Sequence, residues 1–175
     1  MKTTVLKFFT LSVAIFAFST ISFGQINTDN ATASAGARII TPLTITNDGG
    51  LEFGDIISAA NTVTITTDGE RDATNDDALL VTASRTPQAA QFTVVGEASL
   101  SYTVVIDDSI TLTGEATSET MTVDNFVHNA TGTLGATTSA TPGEETFYVG
   151  ADLTVGATQS SDIYKGSFTV TVTYE

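Results

Sequence analysis

Alternation of apolar and polar positions is the dominant pattern of the chain. Between Thr146 and Val155, the residues Phe147, Val149, Ala151, Leu153 and Val155 share one parity. Near the other end of the pattern, Tyr164, Phe168, Val170, Val172 and Tyr174 oppose Thr169, Thr171, Thr173 and Glu175. Successive side chains of a strand point to opposite faces, so each stretch offers one apolar wall and one hydroxylated wall. Wound as a helix, the same apolar set would circle the cylinder, and these residue types favour strands. The last stretch is read as one closing strand, Tyr164 to Glu175, with no polar tail behind it. Its edge needs a partner. Phe168, Val170, Val172 and Tyr174 are therefore the candidate strand-pairing edge, and Thr146 to Val155 is the nearest internal partner by length and character.

Similar reasoning places strands along the whole chain. Arg38 to Thr46 carries Ile39, Leu43 and Ile45 on one parity, with Pro42 setting it at an edge or bulge. Asn47-Asp48-Gly49-Gly50 is a turn signal, after which Leu51-Glu52-Phe53-Gly54 opens another strand. Thr62 to Thr66 alternates Val63 and Ile65 with threonines, and Asp68 to Asp77 reads as a polar loop. Ala78 to Ala83, Gln91 to Val95 and Leu100 to Ile106 follow. Asp107-Asp108 is expected to turn the last of these into a hairpin with Ser109 to Thr113. Thr120 to Val127 is a further strand, and Thr131 to Gly143 a loop or short edge strand. No amphipathic helical period of useful length occurs. Many short strands with frequent turns predict an all-β, antiparallel, immunoglobulin-like Greek-key β-sandwich.

The first residues leave that picture. Lys2 and Lys7 precede an apolar run from Phe8 to Ile21, and Ser22-Phe23-Gly24 offers small residues before Gln25. This is the form of a signal peptide over residues 1–24, too short to span a bilayer at the ~20 residues required. Export to the periplasm, cell surface or medium is the expectation, with no membrane insertion once the signal is removed. Residues 25–37 are polar and alanine-rich and read as a flexible arm, leaving 38–175 as a single domain. That length buries enough surface for a core, which it must, because the chain has no cysteine and hence no disulfides.

Charge narrows the partners. The formal net charge is −14, and after loss of the signal only Arg38, Arg71, Arg85 and Lys165 remain as cations. Phosphate recognition draws on lysine and arginine, so nucleic acid is not an expected partner.

Candidate chemistry is sparse. His128 is the one histidine, with no nucleophile-elbow pattern in the chain. No catalytic residue is expected, and the chain is read as non-enzymatic. The acidic loop Asp68 to Asp77 invites a calcium reading. An EF-hand-like loop wants glycine at its sixth position and glutamate at its twelfth, where Ala73 and Leu79 stand. A solvated loop is the expectation, with no metal site and no cofactor. Sugar binding usually needs aromatic platforms. There is no tryptophan, and Tyr148, on the polar parity of its strand, is the best exposed ring. Asn30-Ala31-Thr32 and Asn129-Ala130-Thr131 fit the N-glycosylation pattern, which is common by chance.

Leu51-Glu52-Phe53-Gly54, Phe147-Tyr148-Val149-Gly150-Ala151-Asp152-Leu153 and Tyr164-Lys165-Gly166-Ser167-Phe168 resemble an uncharacterised secreted domain family of Bacteroidota. That family is in turn similar to spore coat protein U-like domains and to archaic chaperone–usher pilin subunits. The resemblance runs from about Ala33 to Glu175. It implies an immunoglobulin-like sandwich serving as a surface or fibre building block, with identical subunits or a periplasmic chaperone as partners through strand addition. In pilins a penultimate tyrosine is recognised by the chaperone, and Tyr174 holds that position here. Two departures matter. Archaic pilins often carry a disulfide, and their donor arms present bulky apolar residues where this arm offers Ala31, Ala33, Ala35 and Ala37. Either the domain is self-complete, or Arg38 to Ile45 is the donated segment. The function expected is an exported, pilin-like or coat-like structural subunit. The alternative is a monomeric module binding glycan or calcium.

Overall fold

Side chains alternating in and out along its strands build an antiparallel all-β structure with no α-helix among the described residues. The structure, a computed structural model, describes residues 27–74, 77–81, 84–135 and 142–175. The expected signal peptide over 1–24 lies outside the described residues. Contacts divide the chain into two units, Met1–Arg38 and Ile39–Glu175. In the first, residues 27–38 are exposed and carry no regular structure.

Among the described residues the second unit contains twelve strands: β1 (Thr44–Gly49), β2 (Asp55–Ile56), β3 (Asn61–Ile65), β4 (Arg71–Ala73), β5 (Leu80–Val81), β6 (Ala90–Gly96), β7 (Tyr102–Ile106), β8 (Ser109–Gly114), β9 (Thr120–His128), β10 (Gly143–Val155), β11 (Tyr164–Lys165) and β12 (Val170–Tyr174). A 3-10 turn, Asp77–Leu79, precedes β5. The large sheet runs β1-β6-β10-β9-β8-β11, with β3 also on β10 and β4 on β3. Two ribbons, β12-β7 and β2-β5, complete the fold.

β10 is the spine. Its first half, Gly143 to Val149, pairs with β6, and its second half, Ala151 to Val155, pairs with β3 along the same edge. The opposite edge pairs with β9. The change of partner falls at Gly150, where an added Cβ would collide with the Ile65 carbonyl oxygen. Only glycine lets the β3 backbone come so close. The inward parity read from the sequence is fully buried here, with Phe147 and Val149 at 0% exposure and Leu153 at 2%.

Two apolar clusters follow from this division. One, under β3 and the second half of β10, holds Phe53, Val63, Ile65, Val123, Ala151, Leu153 and Val155. The other, under β6 and the first half of β10, holds Phe92, Val94, Tyr102, Leu134, Phe147 and Val149. The β12-β7 ribbon closes the second cluster through Val104, Ile106, Val170, Val172 and Tyr174, so layers face each other across it as in a β-sandwich. Leu51 and Phe126 pack against both clusters.

Several expectations are corrected. The closing stretch is two strands: β11 joins β8 in the large sheet, and β12 joins β7 in the ribbon. Gly166 marks the break, lying so close to β8 that a Cβ would sit 2.6 Å from the Thr111 carbonyl oxygen. Thr146 to Val155 is not the partner of β12, because β6, β3 and β9 already occupy both edges of β10. Nor does Asp107-Asp108 close a hairpin. β7 pairs with β12 and β8 with β9, so these two acids carry the chain from the ribbon to the large sheet. Arg38 to Thr46 is not one strand. Residues 39–43 are irregular and Ile39 is 96% exposed, because Pro42 cannot extend the ladder. Asn47 to Gly49 is no turn but the end of β1, with a bulge against β6. Within the expected loop Asp68 to Asp77, Arg71–Ala73 pairs with β3 through a tight turn at Gly69, φ +79°. Ala78 to Ala83 gives the 3-10 turn and β5, and its residues 82 and 83 lie outside the described residues.

Candidate strand-pairing edge

The four residues singled out by the sequence come together on the roof of the second cluster. Phe168 precedes β12 and meets Phe126 at 4.8 Å and Phe92 at 6.1 Å between ring centroids. Val170, Val172 and Tyr174 point into the same cluster and are half-buried, while Thr171 and Thr173 are exposed on the outer face. The Tyr174 hydroxyl donates to the Thr41 carbonyl at 2.9 Å and accepts from the Glu97 N–H at 2.6 Å. Glu97 in turn accepts from the Thr41 N–H and hydroxyl, each at 3.0 Å. Gly96 makes room for this ring end, since a Cβ there would strike the Tyr174 oxygen.

The backbone of β12 divides cleanly. Residues pair with β7 in register from Val170 opposite Ile106 to Tyr174 opposite Tyr102. Asp107 N–H donates to the Thr169 carbonyl and Glu175 N–H to the Ser101 carbonyl. Antiparallel bonding alternates along a strand, so the odd residues bond β7. The N–H and C=O groups of Val170, Val172 and Tyr174 therefore point to the other side. No strand among the described residues pairs with them.

Beside the ribbon lies an open cleft of about 440 Å³, between the far edge of β7 and the end of β9. Tyr102, Thr103, His128, Thr131 and Glu175 contribute to its walls. His128 is exposed and meets Phe147 edge-on at 6.0 Å. Under one wall, the Tyr102 hydroxyl donates to Glu145 at 2.7 Å, and Glu145 also accepts from the Thr131 N–H at 2.5 Å. Burial, reinforced by the neighbouring carboxylate, raises the Tyr102 pKa far above the ordinary tyrosine value. That hydroxyl is fixed as a hydrogen-bond donor.

The other candidates are scattered. Tyr148 is 37% exposed on the outer face of β10. Asn129 of the second glycosylation pattern accepts from the Tyr148 N–H at 2.7 Å. Asn30 is exposed in the first unit. In the acidic loop, Asp72 and Asp77 both accept from the Ala73 N–H, and residues 75 and 76 lie outside the described residues. Among the described residues no group of three or more His, Cys, Asp or Glu side chains converges as metal ligands would.

Three polar devices escaped sequence reasoning. Arg71 turns inward and donates to the carbonyls of Phe53, Asp55 and Val81. Its acidic neighbours in the sequence disguised that role. Asp162 accepts from the N–H groups of Ala116 and Thr117 and from the Thr117 hydroxyl. Backbone hydrogen bonds, that of Thr117 first, lower its pKa to about 2. Glu119 accepts from Ser160 N–H and hydroxyl, which lowers its pKa too. The two acids clasp the β8–β9 turn to the segment before β11, over 40 residues away in sequence, where no local pattern reveals them.

Comparison with curated proteins and with solved structures gave no match. A family model described as Domain of unknown function (DUF4402) matches residues 43–174, from the residue before β1 to the last residue of β12. The chain belongs to that family.

Proposed function

We propose that this chain is a non-enzymatic, exported structural subunit of the cell surface, pilin-like or coat-like, that associates by strand addition at β12. The observation that carries the reading is the edge of β12 with which no strand among the described residues pairs, above a cluster its own side chains only half close. The chain's passage between layers, from β7 to β8 and from β11 to β12, supports an immunoglobulin-like Greek-key connectivity. Identical subunits or a periplasmic chaperone are the partners such an edge would take. The signal-like first residues support export. Fractionation of producing cells, with chemical cross-linking of the intact surface, tests it. The expected result is surface or periplasmic protein in cross-linked ladders or bound to one partner. Cytoplasmic, uncross-linked protein would sink the reading. Deleting residues 25–37 tests one route: loss of ladders makes that arm a donor strand, and their survival leaves a self-complete domain or Arg38 to Ile45 as the donated segment.

A second reading has its own observation. The hydroxyl-rich cleft beside His128 and the exposed Tyr148 ring suit a monomeric glycan-binding module. Calcium gains no comparable support among the described residues. A glycan array and calorimetry with calcium distinguish these; flat responses remove the alternative.

A further inference from the structure

Edge strands invite pairing, and folds blunt them with charge, bulges, brevity or cover. The open edges here can be compared on that basis. β1 carries Asp48 and a bulge between Asn47 and Gly49. β4 is three residues with Arg71 and Asp72, and β11 is two residues with Lys165 held to Glu115 at 2.6 Å. The far edge of β7 is met at its start by Gly132 and Thr133. β12 has five residues, no charge, no proline and no bulge against β7.

We infer that β12 pairs antiparallel with β12 of a second copy, about a two-fold axis at Val172. This rests on the structural reading above and names its partner. The sequence is close to palindromic about that residue: Thr171 opposes Thr173, and Val170 opposes Tyr174. Two-fold pairing requires such self-complementarity. The outward N–H and C=O groups belong to Val170, Val172 and Tyr174, so Val172 faces its own copy as a hydrogen-bonded pair. The threonines continue the outer face of the ribbon, and the valines and tyrosine continue its apolar face. Charge favours this stretch as well. A chain of net charge −14 repels its copy over most of its surface, and Val170 to Tyr174 carries no acid to add to that. The pairing joins two ribbons into a four-stranded β7-β12-β12-β7 sheet.

The absence of cysteine makes introduced thiols clean reporters. Thr171→Cys and Thr173→Cys chains, purified separately and mixed under mild oxidation, are expected to cross-link at least tenfold faster than either alone. Adding Val172→Pro removes an N–H that does not serve the β7 ladder, and is expected to abolish that cross-link. Should the proline variant lose its fold by circular dichroism, exposed-face charges serve instead. Thr171→Lys or Thr173→Glu alone should weaken the dimer in sedimentation, and their mixture should restore it. Equal cross-linking in the unmixed thiol chains, or indifference to these changes, overturns the pairing. A chain that assembles through another edge sinks the pairing alone. A strict monomer that binds a glycan sinks both this inference and the structural reading.

Discussion

At the residue scale, the fold depends on a few polar groups that no periodicity announces. Arg71 shows this best. Its guanidinium serves three carbonyls, and Gly54, at φ +78°, leaves the space for it, since a Cβ there would stand 2.5 Å from Nη1. Lysine cannot span the same fork. Arg71→Lys is expected to cost roughly 2 kcal/mol, from charge-assisted bonds of about that strength, in urea unfolding followed by fluorescence. Gly54→Ala should approach the same loss by displacing the guanidinium. Unchanged midpoints in both would show that water serves those carbonyls equally well. Tyr174 offers a parallel case. Tyr174→Phe leaves the Glu97 N–H and the Thr41 carbonyl without the hydroxyl, an expected loss of about 1–3 kcal/mol. Hydrogen exchange at Glu97 reads the effect directly.

Asp162 belongs to the same scale but speaks through pH. Its folded pKa, about 2, lies below the ordinary 3.8. A group with a depressed pKa stabilises the fold above its unfolded value, and that stabilisation fades as pH falls from about 4 towards 2. Asp162→Asn should lower stability at neutral pH and remove that part of the acid-unfolding curve. An acid limb unchanged in the variant would show that the turn clasp holds without the carboxylate. Because the carboxylate lies at the surface, only partly covered, salt should reduce the effect.

At the element scale, legibility tracked locality. β10 could be read because each of its inward residues is set by its own two neighbours, and the pattern ran through Phe147, Val149, Ala151, Leu153 and Val155 unbroken. The strands β3, β6, β7 and β9 were legible for the same reason. Pairings were not. β12 lies against β7, some 70 residues earlier, and nothing in either alternating pattern distinguishes that partner from β10. The break at Gly166 was hidden because its cause is the approach of another strand's backbone, which leaves no mark on hydropathy. The candidate edge residues were found, but their free side became visible only once the hydrogen-bond parity was known. Gly150 tests the spine. Gly150→Ala should prevent β3 from docking beside the second half of β10, destabilising by several kcal/mol as overpacking against a backbone does. A variant of native stability would mean the two strands can spread without cost.

Across the whole molecule, the question is whether two apolar clusters behave as one core. They share the spine β10, and two side chains, Leu51 and Phe126, pack against both. Phe126 is the larger bridge, reaching Phe168 on the ribbon side at 4.8 Å. Sharing of this kind makes partial unfolding unfavourable, because opening either cluster exposes the same bridging surface. The wild-type domain is therefore expected to unfold in one transition, with equal van't Hoff and calorimetric enthalpies. Phe126→Ala removes the bridge and should do more than lower the midpoint. Large-to-small changes at buried rings cost about 3–5 kcal/mol, somewhat less where the ring is half-exposed as here. If the bridge couples the clusters, the calorimetric enthalpy will exceed the van't Hoff value in the variant. The ribbon residues Tyr102 to Ile106 and Val170 to Tyr174 would then lose hydrogen-exchange protection before β3 and β9 do. A variant that is merely less stable, and still two-state, would place the coupling in the continuous backbone of β10. In that case any partner strand added at β12 would stabilise the entire domain, and not the ribbon alone.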